Sequence, residues 1–390
     1  MHPESRQLRT SLGQGFTLIE LLISTTLGLL LLIGVGALFL STSRNYKENE
    51  LIAGMQDQAR FALSTLSRDL ALAGYWGGML GSSNIQPNLS DTDEGNDTSR
   101  ATSALLPAKD CGPSGLSWSF NFDQPIEFRN HDSSTATASI WNCIGNHVAG
   151  TDVVAVRHVS GQSTGEMALG DSDVLLRPHH FYLQTNGTVG TLTRWSSTAR
   201  DLPAAAENPA GPPMSFHRYT PRIYFIRDFS ITPGDGIPTL CRKELCPTDY
   251  AGSSDPELAS CNETGGVSGA LGYYSECIAE GVEDLQITWG LDTDGDFVVD
   301  RYVSDPDANQ VATQARSAKI QLLVRSRRGN PQYLDTKSYR LGDKAAFTPA
   351  SVSDPDGTAA DQQVKHFYRR AYSTTVQLRN MGIQAGSGVN

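Results

Sequence analysis

The stretch FTLIELLISTTLGLLLLIGVGALFL, residues 16–40, carries a single charge, Glu20, and from Leu21 to Ser43 there is none. Coiled into an α-helix at ~1.5 Å per residue, it is long enough for a hydrocarbon core of ~30 Å. No other part of the chain approaches this composition, so one membrane span is expected, at residues 16–40. The whole chain has 390 residues, of which 39% are hydrophobic and 19% charged, with 37 Gly, 19 Pro and a formal charge of −11. Its mean hydropathy of −0.30 conceals the apolar run. The hydrophobic fraction is enough to fill a core, which excludes disorder throughout, and the Gly-rich, charge-poor composition argues against a long coiled coil. The acidic balance argues against non-specific nucleic-acid binding, which needs net phosphate neutralisation, and no nucleic-acid partner is expected.

Upstream of the apolar run lies a short leader with Arg6 and Arg9 against Glu4, ending Gly13-Gln14-Gly15. The positive-inside rule keeps this end cytoplasmic and sends the rest across the membrane. An ordinary secretory signal is cut after its apolar region at a small-residue site. Here the conspicuous small-residue junction, Gly15–Phe16, precedes the apolar run, so cutting there removes residues 1–15 and leaves the helix on the mature chain. Glu20 is costly inside a span and therefore a functional candidate. With Phe16 as the new N-terminus, Glu20 lies one helical turn away on the same face. It can meet its own α-amine or that of a neighbouring helix, which would fix the register between subunits. The alternative is a snorkelling or protonated Glu near a helix end.

Beyond the span, Met55, Ala59, Ala62, Leu63, Leu66, Leu70 and Ala73 recur at three- and four-residue steps, and Gly74, Gly77 and Gly78 supply a stop. This predicts a continuous helix of roughly 58 residues, or ~87 Å. Residues 41–74 form its periplasmic half. From Tyr75 to the end, the pattern changes to short strands, at Asp152–Val159, Val174–Arg177, Phe181–Thr185, Arg222–Phe229, Gly281–Leu291, Lys319–Arg325 and Thr374–Leu378. Residues 81–117 and 198–217 read as long loops. The expected architecture is α+β, a long N-terminal transmembrane and spine helix packed on one β-rich, loop-rich head at residues 75–390.

The run from Gly15 through Phe16-Thr17-Leu18-Ile19-Glu20 to Ser24 resembles the class III signal of type IV pilins and type II secretion pseudopilins. The resemblance implies that a prepilin peptidase cuts Gly15–Phe16 and methylates Phe16, and that Glu20 is the register carboxylate. Further segments resemble the PilW group of minor pilins. These are Arg60-Phe61-Ala62 with Ala73-Gly74-Tyr75, Tyr224-Phe225-Ile226 with Pro238–Arg242, Glu280–Leu285 with Trp289–Asp292, Leu323–Ser326 and Leu378–Asn380. That resemblance implies an inner-membrane subunit with a periplasmic head that later joins the pilus at the cell surface, in a minor-pilin tip complex that primes assembly. The implied partners are other minor and major pilins, prepilin peptidase, the inner-membrane assembly platform and a PilY-type tip adhesin. A large pseudopilin of a type II secretion system is the nearest alternative. A membrane-anchored periplasmic enzyme or adhesin is a more distant one.

Asp292-Thr-Asp-Gly-Asp-Phe-Val-Val-Asp300 sets carboxylates at positions one, three, five and nine of a loop. Clustered like charges repel unless a hard cation takes them, and Ca²⁺ accepts six to eight oxygens in flexible geometry. Asp292, Asp294, Asp296 and Asp300, with the Val298 carbonyl, are the candidate ligands. Phe297 at position six and Val303 at position twelve exclude an EF-hand. The loop resembles the D-x-D-x-D-x-x-x-D calcium loops of extracellular β-proteins. A solvated hairpin turn is the alternative, since Asp and Gly are turn residues.

All six cysteines lie on the translocated side, where disulfides form. Spacing suggests Cys111–Cys143 and a nested Cys241–Cys277 and Cys246–Cys261, with Cys241–Cys246 and Cys261–Cys277 as the competing arrangement. No enzyme is expected. Gly161-Gln-Ser163-Thr-Gly165 fits the G-x-S-x-G nucleophile-elbow pattern, but the segment after it breaks at Gly170, too short for the helix an elbow requires.

Overall fold

The apolar stretch and the periodic segment after it form one helix, α1 (Leu18–Leu72), 55 residues long. The structure is a computed structural model that describes residues 16–88, 118–130, 144–163, 165–167, 180–194, 214–247, 271–351 and 364–381. The chain divides into two units, Met1–Ala53 and Gly54–Asn390. In the first, the helix is long and apolar enough to cross a membrane, and none of its most apolar window is buried against protein. Leu30, Leu31, Leu32 and Ile33 are all about two-thirds exposed, an arrangement that water disfavours and lipid accepts.

In the second unit, α1 continues as an amphipathic helix whose buried stripe is Met55, Ala59, Ala62, Leu66, Asp69 and Leu70. Small residues at 59 and 62 bring the sheets close to the helix, and the Leu side chains fill the space between turns. Gly74, at φ 73°, ends the helix, and its N–H donates to the Arg157 carbonyl.

Among the described residues, three antiparallel-rich sheets follow. The middle one runs β10-β9-β8-β3-β2, comprising β2 (Ile126–Arg129), β3 (Val153–Val156), β8 (Arg222–Arg227), β9 (Thr239–Pro247) and β10 (Leu271–Glu280). Its central strands are apolar on both faces because both faces are covered. Val154, Val156, Tyr224 and Ile226 join the core that holds the α1 stripe, while Val153, Ala155, Ile223 and Phe225 join a second core around Trp76, Trp118 and Tyr219. That second core also takes Phe181, Leu183 and Leu192 from another sheet, ordered β1-β6-β5-β7-β4. Its strands are β1 (Ile85–Asn88), β4 (Gly165–Met167), β5 (Phe181–Thr185), β6 (Gly190–Arg194) and β7 (Met214–Arg218).

The third sheet, β12-β11-β13-β14, packs on the helix side. It contains β11 (Val282–Leu291), β12 (Arg301–Val303), β13 (Ala315–Arg325) and β14 (Arg369–Gln377). A short helix, α2 (Ala308–Gln314), opens with a capping box in which Asp307 and Gln310 bond each other's backbone N–H. Asp152 ties the middle sheet to the third: its N–H donates to the Leu285 carbonyl, and its carboxylate accepts from Ile287 N–H at 2.7 Å. The turn from β10 to β11 needs Gly281, at φ 80°, where a Cβ would lie 2.4 Å from the Arg325 carbonyl oxygen.

The loops expected at 81–117 and 198–217 contain β1 and the start of β7. Their pairing partners lie far along the chain, so local composition gave no sign of them.

Candidate functional site

The start of α1 is the first candidate region. Thr17 precedes the helix, its hydroxyl accepts from Glu20 N–H at 3.3 Å, and the Glu20 carboxylate accepts from Thr17 N–H at 3.2 Å and from the Thr17 hydroxyl at 3.0 Å. This reciprocal pattern is a capping box, T-x-x-E, which satisfies two donors that a helix start leaves open. Reading Glu20 as a partner for an α-amine, or as a snorkelling carboxylate, overlooks this role, although Thr17-Leu-Ile-Glu20 carries the signature. Phe16 is exposed (85%) beside it.

The acidic loop joins β11 to β12. Oxygens of Asp292, Asp294 and Asp300 lie within 4.8 Å of one another, a spacing that could hold a metal ion. Asp292 is buried and Asp294 and Asp300 are exposed. Asp296, another expected ligand, is not in this cluster. The Asp296 carboxylate accepts from Val298 N–H at 2.8 Å, and the Val298 side chain is exposed.

Local hydrogen bonds shape the loop. Asp292 accepts from Gly295 N–H at 2.6 Å and Phe297 N–H at 3.1 Å, and pairs with Arg316 at 3.0 Å. Burial works to raise the Asp292 carboxyl pKa, but the two N–H groups and the guanidinium outweigh it, and the pKa falls below the ordinary carboxylate range. Hydrogen bonds from the Thr293 hydroxyl and N–H, each at 2.7 Å, likewise lower Asp300. Both groups are therefore anionic at neutral pH, as a hard cation requires. Phe297, at φ 66°, takes a left-handed conformation at the loop tip.

Of the six cysteines, Cys241 and Cys277 form a disulfide between directly opposed residues of β9 and β10. The bridge is thus within a strand pair and not at the strand ends. The sequential alternative for these two residues is overturned. Cys111, Cys143 and Cys261 and the side chain of Cys246 lie outside the described residues. β4 begins at Gly165, the last residue of the G-x-S-x-G segment, so a strand stands where a nucleophile elbow needs a helix.

A buried charge network escaped the sequence reading. Asp69, within the apolar stripe of α1 and 3% exposed, pairs with Arg222 on β8 at 2.9 Å and accepts from the Tyr224 hydroxyl, with His158 at 3.6 Å. Arg222 continues to Glu244 on β9 at 2.9 Å, and Arg242 beyond it pairs with Glu276 at 2.6 Å. Burial opposes the charge on Asp69, but His158, Arg222 and Tyr224 outweigh it and hold the carboxyl well below its usual range. The signal in the sequence was a charged residue between Leu66 and Leu70 on the face that must be buried. A second network holds the other end of the third sheet: Glu283 accepts from Arg369 at 2.6 Å and Arg325 at 3.2 Å, and Arg369 reaches buried Asp335 at 3.5 Å.

No curated relative and no solved structure matches the chain. Residues 223–380 do match a family model, that of PilW, Type IV Pilus-assembly protein W. The match spans β8 to Asn380 and includes Arg222's partner strand, the disulfide, the acidic loop and the third sheet. The C-terminal region of this chain is therefore similar to the PilW family of type IV pilus assembly.

Proposed function

We propose that the chain is the precursor of a pilin-type subunit that enters the type IV pilus as a minor pilin. The observation that carries the reading is α1. One uninterrupted helix supplies an apolar N-terminal half suited to lipid and a second half whose small-residue stripe is buried in a sheet-rich body that ends in the PilW-like region. Prepilin peptidase would cut Gly15–Phe16 and methylate Phe16, releasing residues 1–15. Residues 16–40 would span the inner membrane, with residues 41–74 and the head at 75–390 in the periplasm until assembly carries them to the cell surface.

In this reading Glu20 exchanges the Thr17 N–H of its own chain for the α-amine of a neighbouring pilin, which hides two charges from lipid and sets register. Other minor and major pilins, the assembly platform and a PilY-type tip adhesin are the proposed partners. The Asp292, Asp294 and Asp300 oxygens would take Ca²⁺ and stiffen the loop, with Asp296 and the Val298 carbonyl available to complete the shell. Incorporation tests the proposal. Sheared pili should contain the wild-type chain and lack Glu20→Ala, although both accumulate in the membrane. Equal amounts of the two in sheared pili would refute the register role, and absence of the wild type would refute the subunit role.

A further inference from the structure

The third sheet ends on β14, which pairs with β13 on one side and with no described strand on the other. Its register is continuous from Arg369 opposite Arg325 to Gln377 opposite Ser317. Just past it Leu378 N–H donates to the Arg316 carbonyl, and just before it the Tyr368 carbonyl accepts from Ser326 N–H. Even-numbered residues therefore direct their backbone groups at β13, and odd-numbered residues direct theirs away from it. The Arg369 carbonyl accepts from the Tyr339 hydroxyl at 3.1 Å. The N–H and C=O groups of Ala371, Ser373, Thr375 and Gln377 have no partner among the described residues, and all four residues are exposed.

Such an edge is a template for another strand, and proteins commonly blunt it. Among the described residues, the outer strands β1, β2, β4 and β12 are three or four residues long, and a register shift between Cys277 and Ala279 interrupts β10. β14 has none of these devices: it runs nine residues with no shift and no Pro, and Ala371 to Leu378 carry no charge. One of its faces is already packed, since Val376 and Tyr372 join the core that holds α1.

Unpaired backbone groups at every second residue select an extended backbone. Charge selects its sequence. Neither β13 nor β14 contains a carboxylate. Arg316 is taken by Asp292, and Arg325 and Arg369 by Glu283. Arg370, Lys319 opposite Thr375, and Arg379 just past β14 are exposed and form no ion pair among the described residues. Antiparallel pairing of β14 with β14 of a second copy would lay Arg369 and Arg370 beside Arg379 at both ends, and like charges across a strand pair repel. We propose that β14 accepts an extended, acidic segment of a different protein, which becomes a fifth strand of the four-stranded third sheet. Hydrogen bonds to the backbone of Ala371, Ser373, Thr375 and Gln377 hold the segment, and its carboxylates meet Arg370, Lys319 and Arg379. The contact uses the folded body alone and rests neither on cleavage at Gly15 nor on entry into a pilus.

Residue-level hydrogen exchange of the full chain in detergent tests it. The probe is a synthetic peptide as long as β14, alternating Thr and Val between two terminal Glu residues. In the free chain the amides of Ala371, Ser373, Thr375 and Gln377 should exchange fast, and those of Tyr372, Thr374 and Val376 slowly. The peptide should slow the first set about tenfold or more. The same peptide with terminal Lys should bind about tenfold more weakly at low salt, and one N-methylated at alternate residues should not bind. Ser373→Pro removes an N–H that faces away from β13, so it should lose the peptide while Thr374 and Val376 stay protected. Where that variant loses their protection, the N-methylated peptide decides the matter on the wild-type chain. No slowing at ~1 mM peptide overturns the proposal, as does equal binding of the N-methylated or the Lys-ended peptide. Slow exchange of the four amides in the free chain also overturns it, and slowing that grows with protein concentration would make the occupant a second copy.

Discussion

Asp69→Ala measures what the buried charge network contributes to holding the helix on the head. Asp69 presents a carboxylate, 3% exposed, to the Arg222 guanidinium at 2.9 and 3.1 Å and to the fully buried Tyr224 hydroxyl. Breaking a buried pair by removing one partner costs ~3–5 kcal/mol, because the other charge stays desolvated. Arg222 retains Glu244 at 2.9 Å, which puts the charge part at the lower end. The orphaned Tyr224 hydroxyl adds ~1–3 kcal/mol. The expected loss is therefore about 4 kcal/mol, read from denaturant unfolding of the detergent-solubilised chain by fluorescence of buried Trp76, Trp118 and Trp289. The double variant Asp69→Ala/Arg222→Ala should be less destabilised than the sum of the single variants. The pH dependence has a definite sign. The Asp69 carboxyl is depressed in the folded state, so its contribution is full above the unfolded value of ~3.9 and is lost as pH falls below it. The stability gap between wild type and Asp69→Ala should therefore narrow in acid. A loss under ~1 kcal/mol, or a gap that widens below pH ~4, would refute the reasoning.

Three other perturbations follow from the same structure. Replacing both Cys241 and Cys277 with Ala opens a loop of sequence separation 36, and chain entropy sets the cost at about 4 kcal/mol in non-reducing denaturation. An unchanged midpoint would show that the bridge does not constrain the unfolded chain. Gly281→Ala forces a Cβ to 2.4 Å from the Arg325 carbonyl at positive φ, and should cost roughly 3 kcal/mol in the same assay. A neutral result would mean that the β10–β11 turn relaxes freely. Titration calorimetry with Ca²⁺ should show binding that Asp294→Ala abolishes, and Ca²⁺ at a hundredfold excess over Kd should add about 2.7 kcal/mol to stability. No heat and no stabilisation would leave the loop as a hydrogen-bonded turn.

The helix was legible because two signals agreed. Its apolar run ends near Ser43, and the three- and four-residue repeat from Met55 continues without a breaker to Gly74. Strands whose burial is written into their own residues were also legible: β5 was placed at Phe181–Thr185, and β8, β11 and β13 within a few residues at their ends. The rest depended on long-range pairing. β9 and β10 carry Cys, Lys, Arg and Glu because their charges are satisfied across the sheet, so they do not read as strands. β2 and β12 are short edge strands with little periodicity. The acidic loop was recognised from spacing, but spacing could not show that Asp296 turns to Val298 N–H while Asp300 joins Asp292 and Asp294. Glu20 drew attention as a charge in an apolar run, yet its capping role needed Thr17 to be read with it.

The central claim is that this chain is a processed pilin-type subunit, and the intact mass of the protein tests it most directly. Co-expressed with a prepilin peptidase, the chain should lose residues 1–15 and gain one methyl group on the α-amine of Phe16, and Gly15→Val should block both changes. A chain that keeps its full-length mass with active peptidase, or that is cut on the far side of the apolar run, would contradict the account.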